Sequence, residues 1–207
     1  MGHADGLHRR SFGLAAGRDG RGFEKLGRAT GLEMRAMAVD FPVVHGRPNR
    51  LPFEGVLTLV DVASDKAPSG ARGHKVVLTR EAAEAALPSL MGMAVDYKAG
   101  WDGHDARQKC GIITAAEVDG QKLTVAGYLF ARDFPEMEAK IQAEGAMGMS
   151  YELADAHVAD MRAQVWTLTR ATFTGAAILL RDKAAYRNTS FRVKRPAVAM
   201  RRAAVAR

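Results

Sequence analysis

The chain has 207 residues, 47% hydrophobic and 26% charged, with a formal net charge of +7. That is enough chain for one substantial domain with a core of its own, and the composition of an ordinary globular protein. No apolar run approaches the roughly 20 residues that cross a bilayer, and one cysteine, Cys110, rules out an intrachain disulfide and fits a reducing compartment.

Charge is unevenly placed. Residues 1–37 carry seven basic and four acidic side chains, a net of +3, and residues 181–207 carry nine basic and one acidic, a net of +8. The stretch between them has fourteen basic and eighteen acidic residues, a net of −4. Basic ends suit nonspecific contact with nucleic acid or acidic partners, but no reading motif or interleaved aromatics point to sequence-specific DNA recognition.

Residues 1–37 are glycine- and arginine-rich with no sustained period or secretory apolar stretch, and read as a basic N-terminal extension. A folded domain is expected over 38–190, beginning at "MAVDFPVV", with a basic tail over 191–207. "FEGVLTLVDVAS" and "HKVVL" read as strands. In "LTREAAEAALPSLMG" Thr79 is the expected N-cap of a helix that Pro88 stops. "CGIITAAEV" and "KLTVAGYLF" are strands joined by a hairpin at "DGQ". "ARDFPEMEAKIQAEG" is a helix with Pro135 in its first turn, a Glu136–Lys140 pair and Gly145 at its end. "MGMSYEL" is a strand followed by a charged loop, and "QVWTLTRATFTGAAILL" is one long strand or two. Many strands and two helices without βαβ alternation predict an α+β fold with a strand-rich core.

Two residues invite chemistry. Ser150, in "GAMGMSYELADAHVAD", enters a strand behind glycines that leave room for a substrate backbone. A serine hydroxyl needs a neighbouring base, and histidine suits that role near neutral pH. His104, in the polar loop "KAGWDGHDARQ", lies between Asp102 and Asp105. Each also has a plain reading, a hydroxyl in a core strand and a surface turn histidine. Cys110 reads as a buried structural thiol. No HxH, HExxH, CxxC, phosphate-binding loop, dinucleotide fingerprint or GxSxG elbow occurs, so no metal or cofactor is expected.

The order "GVLTLVD", "ALPSLMGMAVDY", "DGHD" into "CGIITAAEVDGQKLTVAGYLF", "DFPEMEAKI", "GMSYEL", "LTRATFTGAAILLRDKAAY" resembles the prohead maturation proteases of tailed bacteriophages. Those share their fold with the herpesvirus assemblin proteases. The likeness covers roughly residues 50–190, and rests on order and spacing rather than on one motif. It implies a β-barrel ringed by a few helices, with nucleophile and base on neighbouring strands. It also implies a serine endopeptidase acting in the host cytoplasm, inside the assembling procapsid, on scaffold and major capsid proteins and on itself. By resemblance Ser150 is the nucleophile and His104 the general base, and homodimerisation is left open. A shell of the same fold that has lost catalysis is the alternative, because Gly175 stands where relatives carry a histidine or acid. Glu152, Asp155, His157, Asp160, Asp102 and Asp105 are then the candidates for a third member, and Arg181 and Lys183 for support of the oxyanion.

Overall fold

Alternation of apolar and polar residues at period two sets one face of each strand inward, and the sheet that results closes on itself. A computed structural model describes residues 49–145 and 147–194. The expectations for residues 1–37, for "MAVDFPVV" and for the tail beyond Lys194 lie outside them.

The strands are β1 (Leu51–Leu59), β2 (Lys75–Leu78), β3 (Ala94–Asp96), β4 (Lys109–Asp119), β5 (Lys122–Leu129), β6 (Met147–Val158), β7 (Val165–Leu180) and β8 (Ser190–Val193). Two helices, α1 (Arg80–Ala86) and α2 (Pro135–Glu144), complete the described residues, with a 3-10 turn at Leu87–Leu90. Seven strands run β7-β3-β4-β5-β1-β8-β6 and return to β7, a closed barrel; β2 adds to β7 in parallel from outside. The fold is α+β and strand-rich.

Phe53 and Leu57 on β1, Leu123 and Leu129 on β5, Met147 and Met149 on β6 and Ile178 on β7 fill the interior, all essentially inaccessible. Register shifts at Val56/Thr58 and at Ile113/Ala115 mark irregularities where β1 and β4 bend around that core. Thr79 caps α1 as expected, its hydroxyl accepting from the Ala82 amide at 3.2 Å. Gly145 ends α2 at φ 60°, a left-handed conformation that glycine adopts without strain.

Several expectations need correction. Lys140 pairs with Glu144 at 2.6 Å, while Glu136 accepts a hydrogen bond from Tyr97. The expected charged loop after "MGMSYEL" is strand: β6 continues through Val158, with irregular pairing and a positive φ at Asp155. β7 is a single strand of 16 residues, held on one side by β6 and on the other by β2 and β3 at its two ends. β3 is three residues long, too short to leave a periodic signal. The expected tail begins too early, because Ser190–Val193 is the barrel strand that pairs with β1 and touches β6.

Candidate active site

The pairing of three strands builds the site. Asp96 on β3 faces Ala177 on β7, and Ala177 faces Ser150 on β6, so the three residues form one row on the outward face. Strands lie about 4.8 Å apart, which separates Asp96 from Ser150 by roughly 10 Å. That gap is too wide for direct contact and suits an imidazole with a polar contact at each end. Ala177, fully buried, is the small residue between them.

His104 supplies the imidazole. Its Nε2 lies 3.2 Å from Ser150 Oγ and its Nδ1 lies 3.4 Å from Asp96 Oδ1. The first is a hydrogen bond. The second is looser, and leaves the buried Nδ1 without a well-formed bond. The Asp96 side chain is 1% exposed and that of His104 16%, so the imidazole meets solvent while the carboxylate does not.

The loop between β3 and β4 is pinned where it must be. The Leu180 amide, at the end of β7, donates to the Trp101 carbonyl at 2.8 Å. Trp101 takes a left-handed φ of 55° and stacks on Tyr97 with ring centroids 4.7 Å apart. Tyr97 in turn bonds Glu136 on α2, tying the loop to the helix that precedes the Ser150 strand. The Asp105 amide donates to Asp96 Oδ1 at 3.3 Å.

Burial alone pushes the Asp96 carboxyl up, but its contacts with His104 and Lys109 outweigh burial and hold it below the ordinary carboxylate range. It is therefore ionised at neutral pH. Cys110 is unsuited to nucleophilic work: burial pushes its thiol up to about 12, and its Sγ donates to the Val95 carbonyl.

Ser150 and His104 are thus brought together across 46 residues of sequence. The resemblance set both on strands, whereas His104 lies in a loop. None of the six expected third members stands behind the imidazole. Asp102 pairs with Lys98 at 3.1 Å, and the Asp105 carboxylate with Arg107 at 3.2 Å. Asp155 is exposed, His157 lies beside Arg170, and Asp160 accepts from the Arg162 amide. Glu152 leans over Gly175, where an added Cβ would sit 2.6 Å from its Oε2.

The carboxylate behind the imidazole is that of Asp96, which sequence reading missed. Its one signal was a charged residue closing the apolar run "MAVD", followed eight residues later by the histidine. Arg181 and Lys183 are exposed; the Arg181 backbone packs against Gly148, and Lys183 lies 3.7 Å from Asp182. Among the described residues no group of three or more His, Cys, Asp or Glu is placed to hold a metal, and no helix is long and apolar enough to cross a membrane.

A hydroxyl, an imidazole and a buried carboxylate in line can move a proton from serine to histidine and stabilise the imidazolium that forms. The chain matches no protein-family model and no curated protein, so this geometry is what identifies the site.

Proposed function

We propose that the chain is a serine endopeptidase of the prohead-maturation kind, with a barrel related to that of the herpesvirus assemblin proteases. Its substrates are scaffold and capsid-protein segments, and its own chain, inside the procapsid assembling in the host cytoplasm. The observation that carries this reading is the line Ser150 Oγ, His104, Asp96, with contacts of 3.2 and 3.4 Å.

In the reaction, Ser150 Oγ attacks the scissile carbonyl while His104 Nε2 takes its proton. The imidazolium then protonates the leaving amine as the carbon–nitrogen bond breaks, leaving an acyl-serine. Water, deprotonated by the same nitrogen, attacks the acyl group and returns the free hydroxyl. Asp96 keeps the Nδ1 proton in place and offsets the imidazolium charge from a position that is itself closed to water. The basic character supports a place among acidic scaffold partners through long-range attraction.

The alternative of a catalytically silent shell rests on Gly175, and the nearness of Asp96 to His104 supports the enzyme reading over it. The test is co-expression with the scaffold protein. Ser150→Ala and His104→Ala should each abolish processing while the protein stays folded; processing by Ser150→Ala at the normal rate overturns the reading.

A further inference from the structure

The carboxylate of Asp96 has a second partner. β3 and β4 pair with a register shift between Val95 and Asp96, so that Val95 faces Gly111 but Asp96 faces Lys109. Unshifted pairing would set Asp96 opposite Cys110. The bulge instead turns Cys110 into the core, wholly buried, and brings Lys109 alongside the acid. Bulges re-aim side chains in this way next to working sites. Lys109 Nζ lies 2.9 Å from Asp96 Oδ2, while Oδ1 faces His104 and the Asp105 amide.

We infer that Lys109 is a positioning residue for the hydrolase proposed above: it fixes one carboxylate oxygen of Asp96 so that the other is aimed at His104 Nδ1. A buried carboxylate needs a charged partner, and histidine is a cation only after it has taken the serine proton. Through the rest of the cycle the permanent partner is Lys109. Without it, Asp96 is free to rotate about its side chain and is pushed by burial toward its neutral form, which cannot offset an imidazolium. The arrangement also limits the acid. With the lysine beside it, Asp96 presents His104 with part of a neutral pair rather than a full negative charge.

The ionisable groups around Asp96 are His104 and Asp105 from the loop, the Asp105 carboxylate being paired with Arg107, then Lys109 and Cys110 from β4, and farther away Glu136 on α2, which together with Asp96 raises Cys110. Of these, the proximate permanent cation is Lys109, so its removal has one sign.

This inference rests on the protease reading for its role, yet part of its test does not. In Ser150→Ala protein, the Asp96 carboxyl is titrated by carbon-detected NMR with Lys109, Lys109→Met and Lys109→Arg. The midpoint should rise in the Met variant and stay in place in the Arg variant. In otherwise unaltered enzyme, Lys109→Met should lower kcat about tenfold at neutral pH with little change in KM, and Lys109→Arg should restore most of it. The acid limb of the kcat/KM profile should move to higher pH in the Met variant alone. Should Lys109→Met fail to fold, Lys109→Gln is read in its place. An Asp96 titration and a kcat both unchanged in a folded neutral variant overturn the assignment. A raised titration in a chain that hydrolyses nothing sinks the protease reading and leaves the coupling between Lys109 and Asp96 standing.

Discussion

A carboxylate that is 1% exposed and still ionised is held by its partners, and at Asp96 these are an imidazole, a lysine and an amide. The same contacts make Asp96 a stability group with a definite pH window. Its folded pKa is depressed, so its contribution is complete above the ordinary carboxylate value of about 4 and fades as pH falls through the lower folded value. Asp96→Asn should therefore flatten the acid side of the stability curve, as read from urea midpoints between about pH 2 and 5. It should also cut kcat/KM by roughly 10³–10⁴, because an amide can hold the wrong imidazole tautomer and cannot stabilise the imidazolium. Glu152→Gln should change the rate by no more than about threefold, since that exposed carboxylate leans over Gly175 and not toward the base. Equal losses in the two variants would contradict the assignment of the acid.

At the scale of elements, the row that carries Asp96 and Ser150 has a small residue at its centre. Ala177 lies between Asp96 and Ser150 in the row across β3, β7 and β6. Ala177→Leu should displace the ring and abolish turnover, with a destabilisation of about 1–3 kcal/mol from overpacking, measured by denaturant unfolding. Gly175→Ala should cost little, because the closest atom to the added methyl is the movable carboxylate end of Glu152, with the Glu152 Cβ a tighter than usual contact at 3.3 Å.

The long, turn-bounded strands and both helices were legible in the sequence, since their period and caps are local signals. Thr79 and Gly145 announced the helix ends that they form. The three-residue β3 was not legible, and Asp96 was lost with it. Its role comes from pairing with β7 about 80 residues away, and no local pattern encodes that. Gly175 misled for the same reason. In the likeness it held the place of a third member, whereas here the carboxylate nearest the imidazole lies on the neighbouring strand. Ser150 and His104 could be named from their residue types and flanks, but their contact is a product of the closed sheet.

For the whole molecule, closure is what brings those strands into register. β8 links β1 to β6, and the Lys194 amide still donates to the Pro52 carbonyl at 2.7 Å. A chain ending after Lys194 should keep the barrel and its cooperative unfolding. One ending after Thr189 should lose both, since it exposes the edge of β1 and the buried Phe191 site. Circular dichroism and thermal melts distinguish the outcomes, and a cooperative melt for the shorter chain would contradict the role given to β8.

The central claim is that this barrel arms Ser150 through His104, and covalent labelling tests it without knowledge of the substrate. Wild-type protein incubated with a fluorophosphonate should gain one adduct by intact mass, mapped to Ser150 by peptide sequencing. His104→Ala should label at least about 100-fold more slowly. Labelling of His104→Ala at the wild-type rate, or an adduct on another residue with Ser150 untouched, would contradict the account.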